Sequence, residues 1–431
     1  MTTTIILATG FFLLLILMLV SLLLFAKAKL SPSGLITITI NNEKTIEVEG
    51  GSTLLNVLSN NGVFLPSACG GGGTCSQCIC QVHEGGGSIL PTEEPTFSRK
   101  EIANNFRLGC QVKVKEDMQI QISEEVFGVQ KWECEVVSNY NVASFIKEFV
   151  VRLPEGENLE FEAGGYIQID VPEIVVDFKD VDVTAHPDHH DEPMKFKTEW
   201  DKFNLWDLKM SNNEDIVRAY SMASHPAEGN IIMLNIRVAA PPWDRNRNGW
   251  MQVNPGVCSS YVFNLKQGDK IQVSGPYGEF FIKDTESEML YIGGGAGMAP
   301  MRSHLFHLFH TVKTGRKVTF YYGGRSKREL FYLDDFMKID KEFPNFTFHV
   351  VLSEPAPEDK WVEKKDRDSA GDGFLGFVHN AVIKHHLEGH DSPDDIELYF
   401  CGPPLMNQAV LKMADDWGIP EENVAFDDFG G

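Results

Sequence analysis

Residues 289–305 read MLYIGGGAGMAPMRSHL: an apolar run, a glycine turn and the start of a helical stretch. A strand that ends in glycines and leads into a helix lets a diphosphate approach the backbone where unpaired helix N–H groups point outward. Gly294, Gly295, Ala296, Gly297 and Met298 form that expected cradle, and Pro300 suits the first helical turn, where a missing N–H costs nothing. Proline at 300 replaces the third glycine of the ordinary dinucleotide fingerprint. Downstream, KVTFYYG and IELYFCG are apolar runs separated by helical stretches, which is the alternation of a parallel α/β sheet. Residues 285–431 are therefore expected to form a parallel α/β domain that binds a dinucleotide. Cys401-Gly402-Pro403-Pro404 closes the IELYF run; a free cysteine there is either buried structure or part of the nucleotide site.

Upstream, residues 129–284 carry short strand-like runs, WECEVVS, FIKEFVVRL, YIQIDV, IIMLNIRV and KIQVSG, separated by turn residues. That pattern predicts a small antiparallel barrel. An acidic stretch from about Asp177 to Asp215 interrupts it and is expected to be irregular. Arg218-Ala219-Tyr220-Ser221 follows: an arginine fork suits a diphosphate, a tyrosine can lie on a flavin ring, and a serine hydroxyl can reach a ring nitrogen. Gly256-Val257-Cys258-Ser259 has the small residues of a helix start that binds a diphosphate on backbone amides. Gly275-Pro276-Tyr277-Gly278 reads as a closing turn.

Further upstream, Cys69, Cys75 and Cys78 lie on one glycine-rich loop, and Cys110 follows in RLGC. Three close thiolates and a distant one suit a [2Fe–2S] cluster. Zinc also takes four cysteines, but its sites usually bring two Cys-x-x-Cys pairs, and only one is present. Cys80 is left outside the set. Residues 33–128 are expected to be one small α+β domain around this loop.

These pieces carry a resemblance. Residues 33–123 resemble a β-grasp [2Fe–2S] ferredoxin domain, and the five-residue gap between Cys69 and Cys75 resembles the hydroxylase-linked branch. RAYS, GVCSSY and GPYG, in that order, are similar to the FAD domain of the ferredoxin–NADP reductase superfamily. The resemblance implies FAD ligands at Arg218, Tyr220, Ser221 and Gly256 to Ser259. It also implies that Cys401 sits near the nicotinamide and that a near-terminal aromatic, Phe429, covers the flavin. On this resemblance Cys401, Ser221 and Tyr220 would be catalytic, with Gly402 and Pro403 beside the nucleotide.

The domain order, the terminal FDDFGG and the run GGGAGMAPMRSH resemble the F subunits of sodium-translocating NADH:quinone oxidoreductases. That implies NADH oxidation through FAD and a [2Fe–2S] cluster, with electrons passing to other membrane subunits and, indirectly, to ubiquinone. The same resemblance favours NADH over NADPH, although Arg325, Lys327 and Arg328 form a cationic run that could meet a 2′-phosphate. Two other readings share the pieces: a bacterial oxygenase reductase, and a membrane electron carrier without its own NADH oxidation.

Ile5 to Ala26 carry no charge, and residues 1–30 are expected to be a single-pass anchor in a bacterial inner membrane. A cleaved signal peptide would carry basic residues before its apolar run, and MTTT has none. Lys27 and Lys29 follow the run and would leave the bulk of the chain in the cytoplasm. A formal charge of −23 argues against a nucleic-acid partner. His186, His189 and His190 are expected in a solvated loop. His304, His307 and His310 are expected on a partly exposed helix face without an acidic co-ligand, and HHLEGH at 385–390 is read the same way.

Overall fold

A computed structural model describes residues 9–22, 35–67, 69–188, 192–246, 248–367 and 369–429. The chain divides into two compact units, Met1–Gln130 and Lys131–Gly431.

In the first unit, residues 9–22 form an exposed helix. Fourteen residues reach about 21 Å, short of a ~30 Å hydrocarbon core. Among the described residues no helix is long and apolar enough to cross a membrane. The expected single span is thus not met there, and residues 5–8 and 23–26 lie outside the described residues.

The rest of this unit is a five-stranded sheet in the order Lys44–Glu49, Leu35–Ile40, Met118–Gln121, Ile79–Glu84, Phe106–Leu108. The strict alternation of LITITI turns Ile36, Ile38 and Ile40 inward. The helix Leu54–Asn60 covers them with Leu54, Leu55, Val57 and Leu58, and Thr53 caps it by accepting from the Asn56 N–H. Each such fully buried aliphatic side chain contributes roughly 1.5–3 kcal/mol.

The second unit begins with a six-stranded sheet in the order Ile216–Ser221, Tyr166–Val171, Lys270–Tyr277, Gln130–Ala143, Ile146–Arg152, Ile231–Arg237. Its first and last strands meet again at a bridge between Met222 and Leu234. The inner faces bury Phe149, Ile167, Ile169, Leu234 and Val273 together.

The acidic insertion is not irregular. Strand Lys209–Asn212 pairs antiparallel with Ile174–Asp177, and helix Lys197–Lys202 sends Trp200 fully into the core. There the Trp200 indole N–H donates to the Ser144 carbonyl at 2.8 Å. Phe178, Phe196 and Met210 are buried with it, so aromatic burial organises what the charge pattern suggested was loop.

A parallel sheet follows, in the order Phe374–Leu375, Phe346–Leu352, Val318–Gly324, Met289–Gly294, Glu397–Cys401, Val424–Asp427. Sequence order runs outward in both directions from Met289–Gly294, so a switch point lies between this strand and Glu397–Cys401. In open α/β sheets the carboxyl ends of such strands bind ligands. Separate apolar clusters cover the two faces of this sheet.

Candidate functional site

The cysteine loop of the first unit brings its thiols together in two pairs. Cys69 Sγ and Cys75 Sγ lie 3.3 Å apart. Cys78 and Cys110 form the second pair, and in each pair one thiol hydrogen-bonds the other. In the first pair, hydrogen bonding from Cys75 and from the N–H groups of Thr74 and Gly71 holds the Cys69 thiol far below its ordinary range. In the second, Cys78 and the Gln111 amide hold the Cys110 thiol down while Cys78 is pushed up. Closely placed thiols that backbone amides stabilise as thiolates suit a [2Fe–2S] cluster.

Cys80 stands apart: it is buried on the strand Ile79–Glu84, its thiol faces the Arg107 carbonyl at 3.7 Å, and burial pushes its pKa up to about 12. Behind the loop, Arg107 makes a buried pair with Glu93 at 2.7 Å and also binds the Gly86 carbonyl.

In the second unit, Arg218, Tyr220 and Ser221 lie on the strand Ile216–Ser221. Arg218 Nη1 donates to the Val217 carbonyl at 2.8 Å. Tyr220 is half-buried, and its hydroxyl reaches the Cys258 thiol, whose pKa burial pushes up to about 12.

Gly256 caps the helix Val257–Asn264. A Cβ on Gly256 would meet the Ala239 Cβ at 2.6 Å, so only glycine allows this close approach. Cys258 is buried in the sheet core, and the Ser259 hydroxyl lies between the Ala239 N–H and the Gly256 carbonyl, each at 3.1 Å. What the segment offers is the first-turn N–H groups of a helix, the donor set that a diphosphate takes.

The glycine turn follows the sequence reading: strand Met289–Gly294, a turn through Gly295 to Gly297, then helix Met298–Phe306. Met298 and Pro300 are buried at the start of the helix. Gly297 packs against the next strand end, and a Cβ there would lie 2.1 Å from the Cys401 carbonyl oxygen. This contact seats the glycine turn beside Cys401, Gly402 and Pro403 at the switch point. Cys401 itself is fully buried, and burial together with Asp427 and Asp428 holds its thiol well above the ordinary range. It is a neutral thiol, unsuited to nucleophilic work. Phe429 is 46% exposed, and the ring of Phe426 stacks on Phe400 at 5.1 Å.

The sequence reading missed Asp427. Strand Val424–Asp427 pairs in parallel with Glu397–Cys401 and sets Asp427 opposite Cys401. Ser221 Oγ donates to Asp427 Oδ2, so the serine of RAYS reaches the last strand. Burial raises the Asp427 carboxyl to about 6, against the lowering effect of that bond. The only sequence signal was the short alternation VAFD before the tail.

The sequence reading also missed the joint between the two sheets. Arg302, on the helix Met298–Phe306, is buried; it donates to the Ala223 carbonyl at 2.7 Å and pairs with Glu228 at 2.7 Å. Nearby, Tyr332 donates to Glu148 at 2.6 Å and accepts from Asn235 at 2.8 Å.

Three expectations about histidines fail, at His304, His186 and the buried His386. His304 is fully buried: its ring stacks on Phe280 at 4.8 Å, Nε2 lies 3.0 Å from the Phe280 carbonyl, and burial lowers its pKa to about 4. His186 is partly buried and lies 3.1 Å from Glu148, while His189 and His190 lie outside the described residues.

Three family models match: "2Fe-2S iron-sulfur cluster binding domain" over residues 38–115, "Oxidoreductase FAD-binding domain" over 196–282 and "Oxidoreductase NAD-binding domain" over 291–412. The cofactors are therefore a [2Fe–2S] cluster, FAD and NADH. Among solved structures, the Amycolatopsis cytochrome P450 reductase matches with a TM-score of 0.59 at 23% identity, covering 91% of this chain and 98% of that one. The ferredoxin reductase of carbazole 1,9a-dioxygenase matches with a TM-score of 0.56 at 22% identity, covering 92% of this chain and 98% of that one. At these identities the likeness is one of fold.

Curated relatives are far more similar. The F subunit of the Na(+)-translocating NADH-quinone reductase of Neisseria gonorrhoeae is 52% identical over 99% of this chain and 100% of its own length. Its namesake in Pseudomonas aeruginosa is 50% identical over 99% of both chains. By this shared sequence along its whole length, the chain belongs to the family of Na(+)-translocating NADH-quinone reductase F subunits.

Proposed function

We propose that the chain is the electron-input subunit of a membrane NADH:ubiquinone oxidoreductase that exports sodium. It takes hydride from NADH and delivers single electrons to other membrane subunits, and through them to quinone. The observation that carries this reading is the switch point, where the glycine turn, Cys401 to Pro403 and the Ser221–Asp427 bond lie together in one compact unit.

Bound FAD would supply two-electron hydride chemistry and a [2Fe–2S] cluster one-electron chemistry, the pairing that splits an electron pair. The residues of the chain position and shield. Arg218 and the first-turn amides after Gly256 would hold the flavin diphosphate, and Tyr220 would lie along its ring. Gly294 to Met298 would hold the NADH diphosphate, Pro300 would set the turn, and Cys401, Gly402 and Pro403 would border the nicotinamide. Ser221 and Asp427 would hold a proton beside the reacting face. Phe429 would cover that face when no nucleotide is bound. Cys69, Cys75, Cys78 and Cys110 would ligate the cluster.

In this reading residues 33–128 are the ferredoxin domain, 129–284 a FAD barrel and 285–431 the NADH domain. Residues 1–30 would anchor the chain as one span in the bacterial inner membrane, with its bulk in the cytoplasm. The uncharged stretch Ile5–Ala26 supports that placement. The test is the purified full chain in detergent: an absorption spectrum with flavin and [2Fe–2S] bands, and NADH oxidation with ferricyanide. A chain that binds both cofactors but leaves NADH unoxidised would be an electron carrier only.

A further inference from the structure

At the opposite end of the parallel sheet from the glycine turn, three side chains from distant parts of the chain converge. Glu288 stands immediately before the strand Met289–Gly294. His386 lies in the π-helical turn Ile383–Leu387 that continues the helix Val378–Val382, and His390 follows it. Short π-helical turns recur at functional sites. His386 Nε2 is 3.0 Å from Glu288 Oε1, and His390 Nε2 is 3.3 Å from Glu288 Oε2. One ligand atom from each residue lies within 4.8 Å of the others.

The His386 side chain is completely buried, yet neither of its ring nitrogens has a hydrogen-bond partner, and neither has Glu288 Oε1. A buried imidazole whose Nδ1 has no partner is costly for a protein to keep. Two histidines and one glutamate are the zinc donor set that leaves a fourth position for water.

We propose that Glu288, His386 and His390 form a site for a divalent transition-metal ion, Zn(II) in particular. The six-residue strand between Glu288 and the glycine turn spans about 20 Å, so the ion takes no part in hydride transfer. It ties the start of the central strand to the His386–His390 turn. Two features of the site must change on loading. Lys317 Nζ sits 2.8 Å from Glu288 Oε2, and its side chain, 57% exposed, swings out to solvent. His390 Nδ1 accepts from the Ser392 N–H at 3.1 Å, which leaves the ring proton on Nε2. Loading moves that proton to Nδ1 and gives up the Ser392 contact.

The experiment titrates Zn(II) and Co(II) into the full-length holoprotein after chelator dialysis, with its flavin and iron–sulfur spectra intact. Wild type should bind one more ion than Glu288→Gln or His390→Ala, and its Co(II) spectrum should lack sulfur-to-metal charge transfer. Lys317→Gln removes the competing ammonium and should tighten binding by about tenfold, a gain that misfolding cannot mimic. Equal metal content in wild type, E288Q and H390A would overturn the proposal. So would a thiolate Co(II) spectrum, or weaker binding in K317Q.

Discussion

Ser221, at the end of a strand of the flavin-side sheet, donates a hydrogen bond to Asp427, on the last strand of the nucleotide sheet. The bond gives a buried carboxyl a donor beside the Asp428 N–H and joins the two halves of the second unit at the switch point.

Asp427 makes the stability of this unit depend on pH. Burial raises its folded pKa to about 6 from an ordinary 3.8. The unfolded chain therefore loses the proton first as pH rises. The cost of the buried carboxylate is absent below about pH 4, grows through that window and is complete above about 6. Asp427→Asn should leave stability unchanged near pH 4 and gain about 1–2 kcal/mol by pH 7, after allowance for partial solvent access. Melting temperatures of both proteins across this range check it. A constant difference would place the titration elsewhere.

Cys69, Cys75, Cys78 and Cys110 are expected to be indispensable to the cluster and Cys80 dispensable. Alanine at any of the four should abolish the cluster's absorption and paramagnetic signal while FAD stays bound. Cys80→Ala should keep both signals and lose only about 1 kcal/mol of core packing. Loss of the signal in Cys80→Ala would redraw the ligand set.

The cationic run at 325–328 is balanced by acids. Arg325 pairs with Glu354 at 2.8 Å, and Arg328 lies 3.4 Å from both Glu199 and Glu358. A 2′-phosphate arriving at Arg325 would meet the Glu354 carboxylate, which favours NADH. Glu354→Gln should raise the NADPH/NADH ratio of kcat/KM by about two- to fivefold, the scale of an exposed ion pair. Steady-state kinetics with both nucleotides measure it, and an unchanged ratio would mean that the adenosine ribose lies elsewhere.

Arg218→Ala should weaken FAD binding by about 1.5–3 kcal/mol through loss of a charge-assisted contact. Flavin released by gel filtration, compared with wild type, reports it. Full retention would remove Arg218 from the diphosphate site.

Phe429→Ala should bind NAD⁺ and NADH about two- to tenfold more tightly, because an aromatic cover is worth only about 0.5–1.5 kcal/mol. Titration of the long-wavelength flavin band tests this. Identical affinities would make Phe429 a free end.

The cysteine loop and the glycine turn were legible because their chemistry is local: ligand spacing, a strand end and a helix start sit within one short stretch. The strand Val424–Asp427 was not, since four residues give too little periodicity to separate an edge strand from a tail. The insertion misled because its acidic surface hid Phe178, Phe196 and Trp200, whose burial depends on partners such as Phe263. His304 and His386 failed for the same reason. Their neighbours Phe280, Gly164 and Glu288 belong to other segments, and helical spacing alone cannot say which face is covered.

The buried Arg302 has a mechanical consequence. To part the flavin-side sheet from the nucleotide sheet, the molecule would have to strip a guanidinium, held on its own side by the rings of Phe306 and Tyr332, from the Ala223 carbonyl and from Glu228. Uncompensated, a break of that kind costs several kcal/mol. Arg302 thus acts as a latch across the joint, and opening the two sheets carries that cost on top of the apolar contacts between them.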